Sequence, residues 1–416
     1  MKKRTFLQNS LALMGFGISN KTIYLKTEAE AERKEETRSN DFWQKIRSQY
    51  NLQTDFINLE SGYYNIIPQP TLEKYQEHIR EVNRLGAYYM RTVQHENKQK
   101  MVEKLAHLLD CPIDELIITR NTTESLDMVI GGYPWQKGDE AVFAYQDYGA
   151  MQDMFDLMVK KHGIVNKRIS IPNHPKNDEE LVDLYAKAIT SKTKLLMIPH
   201  IVNITGQILP VRKICDMAHE KGVEVMVDGA HAVAHFQFSI KDLHCDYYGS
   251  SLHKWLAVPL GAGILHIKKQ HIEKIWPLLA ETIRASGDIS KLNHTGTHPV
   301  ATDLSIADAI DFYNQMGPAK KEERLRHLQN YWTSKVRNLP HIILNTPKDP
   351  SRSCAIANVG VKSMKPSDLA ETLLKKYKIF TVAIDHHNVQ GCRITPNVFT
   401  TEQELDQLVE ALKQLA

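Results

Sequence analysis

Between about residues 70 and 267, short apolar runs alternate with longer stretches whose apolar residues recur every three to four positions. The runs Glu115–Ile118, Ala141–Tyr145, Val165–Ile171, Leu195–Ile198, Val223–Val227, Asp246–Gly249 and Gly263–Ile267 read as strands. Between them, Thr122–Ile130, Met151–Lys160, Glu179–Ile189 and Val211–Glu220 read as helices. Short apolar strands spaced by amphipathic helices predict a mostly parallel, seven-stranded α/β sheet covered on both faces. After Pro318 the rhythm changes. A charged helix over Ala319–Val336 precedes strands at Ile342–Leu344, Ala355–Val361 and Ile379–Ile384. Leu369, Leu373 and Leu374 mark another helix. A capping box, Thr401-x-x-Glu404, opens the last one, with Leu405, Leu408, Val409, Leu412 and Leu415 on one face. This end reads as a smaller α+β domain. The pattern therefore divides into 1–40, a large domain over 41–315 and a small one over 316–416.

Composition adds little to that picture. The 416 residues are 42% hydrophobic and 24% charged, enough for a large core. A net charge of +3, without a basic block, gives no support for nucleic-acid binding. No apolar run approaches the ~20 residues that span a bilayer, so membrane anchoring is not expected. The five cysteines are scattered, with neither metal-ligand spacing nor a disulfide framework. The N-terminus departs from the rest. Lys2-Lys3-Arg4-Thr5-Phe6-Leu7-Gln8 precedes an apolar stretch from Leu11 to Ile18 and reads as a signal peptide. Lys3-Arg4-x-Phe6-Leu7 resembles the twin-arginine type, with Lys for the first Arg, which implies export to the periplasm. The competing reading is an amphipathic helix on a cytoplasmic protein. Residues 26–40 read as a charged linker.

The chemistry concentrates at two strand ends. Val223–Val227 leads into Asp228, and Lys254 follows one strand later in Ser250-Ser251-Leu252-His253-Lys254-Trp255. A carboxylate at the C-terminal end of a parallel strand lies where open α/β sheets bind ligands. With a lysine in reach, it suggests pyridoxal phosphate, whose aldehyde needs a lysine and whose pyridine nitrogen needs an anion. Each residue alone reads more simply, Asp228 as a helix cap and Lys254 as a surface lysine.

The run Val227–Ala232, and Ser251–Lys254 followed by Gly261-Ala262-Gly263, resemble the class V aminotransferase family of pyridoxal-phosphate enzymes. The resemblance covers nearly everything after about residue 55. It implies the type I aminotransferase fold and a homodimer with shared sites. Further roles follow from it. Thr122 and Thr123, in a turn that otherwise reads as a helix cap, would hold the cofactor phosphate with Ser251 and His253. Thr297, in His294–Pro299, would reach the phosphate of a neighbouring subunit. Tyr148 stands where desulfurases stack a His on the cofactor ring, and Tyr148-Gly149-Ala150 looks more like the isopenicillin N epimerase branch. Asn203 and His231 would flank the phenolic oxygen. Arg393, in Arg-x-Thr-Pro-Asn, would grip the substrate α-carboxylate, for which a planar guanidinium is suited. One departure stands out. Desulfurases carry a nucleophilic Cys on a loop before this Arg, where this chain has Asp385–Gly391. Cys392 adjoins Arg393 at the wrong spacing. His386 and His387 are candidates for the substrate pocket. The expected activity is an amino-acid epimerase or racemase. The alternatives are a C–S or C–Se lyase, an aminotransferase, or a non-catalytic binding protein on the same fold. Tyr148, Tyr63 and Tyr64 are candidates for the second acid of an epimerase.

Overall fold

A computed structural model describes residues 41–415. They fall in two compact units divided between Gln49 and Tyr50. In the first, residues 41–47 are helical. The signal-like segment and linker expected over 1–40 lie outside the described residues.

The second unit is built on a seven-stranded sheet. Its strands are β1 (Leu116–Thr119), β2 (Glu140–Ala144), β3 (Val165–Ile169), β4 (Thr193–Pro199), β5 (Glu224–Asp228), β6 (Tyr247–Ser251) and β7 (Gly263–Ile267), in the order β1-β7-β6-β5-β4-β2-β3. Only β7 runs against the others, antiparallel to both β6 and β1. All seven strands are where the apolar runs predict them, with ends shifted by one or two residues. Alternate residues along every strand but the edge strand β3 enter different cores, as the two-residue period requires. Leu196, Ile198, Val225 and Val227 join one core with helices α1 (Asp178–Ala188) and α2 (Val211–Glu220). Leu195, Met197 and Met226 join the other with α3 (Thr122–Gly132) and α4 (Gly149–His162), whose Leu126, Val129, Met151 and Phe155 pack there. Burial on both faces is why these strands read as continuous apolar runs.

A second, antiparallel sheet has its own core. Its strands β8 (Ile342–Leu344), β9 (Ala357–Val361), β10 (Val382–His386) and β11 (Val389–Ile394) lie in the order β10-β11-β9-β8. Helices α5 (Pro318–Val336), α6 (Pro366–Tyr377) and α7 (Glu402–Lys413) supply Trp332, Leu369 and Leu408 to that core. The capping box at Thr401 and Glu404 is formed. The strand expected over Ile379–Ile384 is divided. Ile379–Phe380 pairs in parallel with Ile57–Asn58, while Val382 onward pairs with β11. The two halves find different partners on either side of Thr381.

Candidate active site

Beyond the C-terminal ends of β2, β4 and β5 lies a cavity of about 500 Å³. Such ends are where α/β sheets bind ligands. Asp228, Lys254, His231, Asn203, Thr122, Thr123, Ser251, His253, Tyr148 and Arg393 all line it. Sequence reasoning placed each of them at one site, and the fold brings them together.

Lys254 lies on the excursion between the antiparallel neighbours β6 and β7. Its Nζ is 2.9 Å from His231 Nε2. Trp255 Nε1–H donates to His231 Nδ1 at 3.4 Å, which leaves the ring proton on Nε2, facing the lysine. Burial, and then the Lys254 charge, hold His231 well below the usual histidine range. Burial also pulls Lys254 down to about 8, with Asp228 opposing. At pH 7 about a tenth of the lysine is then free amine, against less than about a thousandth for an ordinary lysine, and the free amine is the form that attacks an aldehyde or takes a proton. Asp228, the last residue of β5, is buried and accepts one hydrogen bond, from Ala230 N–H at 2.9 Å. Its carboxyl is raised by that burial. A buried carboxylate so sparsely bonded suits a cationic N–H partner. Gly229 keeps this strand end close to β6, since a Cβ there would lie 2.1 Å from Tyr248 Cζ.

Opposite Asp228 is the N-terminus of α3. Asn121 caps it through Glu124 N–H. Thr122 donates its N–H to Ser251 Oγ at 2.9 Å, and the two hydroxyls are 2.7 Å apart. Hydroxyls at a helix N-terminus form a site for a phosphate dianion. His253 Nδ1 is buried with no hydrogen-bond partner, and burial lowers this histidine to about 4. Tyr148 is the residue before α4 and is half exposed in the cavity wall. The turn that presents it is closed by Asp147, which accepts Ala144 N–H at 2.7 Å.

At the other end of the cavity is Arg393, on β11. Its Nη2 and Nε donate to the two carboxylate oxygens of Glu60 at 2.6 and 3.2 Å, and Nη1 donates to Asn203 O at 3.3 Å. The rest of Arg-x-Thr-Pro-Asn fastens the same segment. Thr395 Oγ1 accepts from Ser61 and Gly62 N–H, and Asn397 bonds Asn65. Asn65 N–H in turn donates to His253 O at 3.2 Å, tying this segment to the lysine turn.

The sequence profile of the Aminotransferase class-V family matches residues 65–408. The chain belongs to this family. It is 25% identical to the isopenicillin N epimerase of Streptomyces clavuligerus over 395 residues, 90% of this chain and 98% of that protein. It is also 25% identical to a probable cysteine desulfurase of Halalkalibacterium halodurans, over 86% of this chain and 92% of that one. Among solved structures, the apo cysteine desulfurase from Thermococcus onnurineus NA1 superposes with a TM-score of 0.79. It is 19% identical, over 89% of this chain and 97% of that one. The cystine C–S lyase C-DES gives 0.77 at 20% identity, over 86% and 97%. The two structures share the fold.

The family implies pyridoxal phosphate, and the residues present fit it. A buried carboxylate with one hydrogen bond, a buried lysine lowered to about 8 and a hydroxyl-lined helix N-terminus surround one cavity. The candidate histidines for the substrate pocket are not found there. His386 and His387 do not line the cavity. His386 bonds Tyr145 O, and His387 stacks on the Tyr145 ring at 4.3 Å and bonds Ser170. Val382 and Ile384 of β10 line the wall, while His386, on the same strand face two residues further along, is taken up by Tyr145 O. Tyr63 is in the wall, whereas Tyr64 is not. Thr297 is exposed on the loop before the helix Val300–Met316 and does not line this cavity. Its expected contact belongs to a second copy of the chain. Cys392 is buried in β11, and burial raises its thiol to about 11. Among the described residues, no cysteine lines the cavity. Sequence reasoning missed Glu60. A carboxylate in Leu59-Glu60-Ser61-Gly62 gives no local signal of an arginine more than three hundred positions away.

Proposed function

We propose that this enzyme epimerises or racemises an amino-acid substrate at its α-carbon. Bound pyridoxal phosphate, attached through Lys254, supplies the electron sink that makes a Cα proton removable. Asp228 stabilises positive charge at the ring nitrogen. Thr122, Thr123, Ser251 and His253 hold the phosphate, Tyr148 covers a ring face, and Asn203 and His231 flank the phenolic oxygen. Arg393 binds the substrate carboxylate and so fixes which Cα bond is turned for cleavage. Lys254 Nζ, beside His231 and lowered by burial, carries the proton on one face. Inversion needs an acid on the other face, and Tyr63 and Tyr148 are the cavity-wall phenols able to supply it. The observation that carries this reading is Lys254 in the wall of a cavity that, among the described residues, no cysteine lines, which gives proton transfer its base and sulfur transfer no nucleophile. A second reading, a C–S or C–Se lyase, draws on the desulfurase relatives and on C-DES. It uses the same Lys254 and Arg393 and expels a β-substituent.

The test is incubation of the cofactor-loaded protein with L- and D-amino acids in heavy water. Deuterium at Cα with loss of chirality and no released product is the expected result. Keto acid with sulfide or selenide would replace epimerisation with the lyase reading.

A further inference from the structure

Arg393 is not a free cation. Glu60 takes its Nε–Nη2 side in a two-point bond, and both side chains are nearly excluded from solvent, at 8% and 6% exposure. The Glu60 carboxylate is itself fixed, by Tyr63 N–H on Oε1 at 2.9 Å and by Thr395 Oγ1 on Oε2 at 3.5 Å. Gly62 makes room for the pair, because a Cβ at that position would lie 3.0 Å from Arg393 Cζ and 3.1 Å from Glu60 Oε1. Arg393 lines the cavity and Glu60 does not. The edge left for a ligand is therefore the Nη1–Nη2 end, and Nη1 already donates once, to Asn203 O.

A carboxylate bound there brings a second anion to a guanidinium whose charge is already balanced. In a cavity of low effective dielectric, the two carboxylates repel through the cation they share. The other guanidinium in the wall, Arg120, is likewise held by Glu124, at 2.8 and 3.0 Å. A neutral acceptor, such as an amide carbonyl, uses the same N–H groups without that repulsion.

We infer that Glu60 is a specificity-determining residue: it reduces Arg393 from a carboxylate trap to a hydrogen-bond donor that accepts a carboxylate and a carboxamide on nearly equal terms. This rests on the reading of Arg393 as the contact for the substrate's carboxyl group. The class of substrate it admits includes amino acids whose α-carboxyl is amidated or in peptide linkage.

The experiment is calorimetric titration of the cofactor-loaded protein with 3-phenylpropanoate and 3-phenylpropanamide. Neither has an amine, so neither reacts with the cofactor, and both suit a wall containing Tyr63, Tyr148, Met151 and Ile201. In the wild type the two Kd values fall within about tenfold of each other. Glu60→Gln keeps the shape and frees the guanidinium charge, tightening the acid by about tenfold or more and leaving the amide within about threefold. A wild-type preference for the acid beyond about tenfold overturns the inference, as does a variant that moves both ligands alike or binds no acid. If Glu60→Gln does not fold, the wild-type ratio decides. Failure of the proposed reaction is seen separately, as missing Cα exchange in a protein whose acid-to-amide ratio is unchanged.

Discussion

The two ends of the cavity are built by opposite means. At the cofactor end, Asp228 is buried with one hydrogen bond and its carboxyl raised by burial, and Lys254 is lowered to about 8. Charges there are left unbalanced, and a bound group completes them. At the carboxylate end, Arg393 and Glu60 complete each other. On the proposed reading, the first end is prepared for a resident cofactor and the second for a visitor that must leave again. A fully unpaired arginine would hold a carboxylate product tightly, since charge-assisted two-point bonds are among the strongest available.

The largest effect that separates the ends is on turnover. Lys254→Ala should lower deuterium incorporation at Cα by about 10³-fold or more, since it removes both the attachment and the base. Near-wild-type exchange in that variant would remove Lys254 from the chemistry. Stability gives the next contrast. Arg393→Ala strands a buried carboxylate and should cost about 3–5 kcal/mol in urea unfolding, whereas Arg393→Met with Glu60→Met should be close to neutral. If single and double variants cost the same, the pair is not the self-contained unit described here. At the cofactor end the sign reverses. Asp228→Asn should stabilise the cofactor-free protein, by about 1 kcal/mol, while weakening cofactor binding, because it removes a buried and unbalanced charge. A loss of stability in the cofactor-free variant would mean that Asp228 is already paired. Cofactor uptake should follow the Lys254 amine. Below pH 8 the free amine falls about tenfold per pH unit, so the absorbance-monitored rate should rise toward pH 8 and level off above it. A rate flat from pH 6 to 8 would place the lysine far from that value. The smallest effect is at Cys392. Cys392→Ala should leave turnover within about twofold, as a buried residue outside the cavity touches no reacting group. A collapse of sulfide release in that variant would restore the persulfide route.

This contrast also decides what was legible in the chain. The cofactor end is made from segments that each follow an apolar strand, so Asp228, Tyr148, Asn203 and Lys254 announce themselves by position. The parallel sheet was legible for the same reason. The carboxylate end depends on partners remote in sequence. Arg393 was legible through the Arg-x-Thr-Pro-Asn resemblance, but its partner Glu60 was not. Strand β11 carries Gln390, Gly391 and Arg393 among its apolar residues, which masks it as a strand. His386 and His387 suggest chemistry by residue type, but both are held by Tyr145 and Ser170 outside the cavity, contacts that no local pattern announces.

The bridge between Glu60 and Thr395 joins positions at nearly opposite ends of the second unit. Closing so long a loop is entropically costly before any contact rewards it. During synthesis, β1 to β7 and the Lys254 turn all leave the ribosome before β11 exists. The cofactor end can therefore assemble first, and the grip on the carboxylate only once the last strand has arrived. A nascent chain stalled shortly before Arg393 would hold the lysine and the aspartate but no means of gripping a substrate. On the proposed reading, reactive chemistry would wait until the last strand is in place.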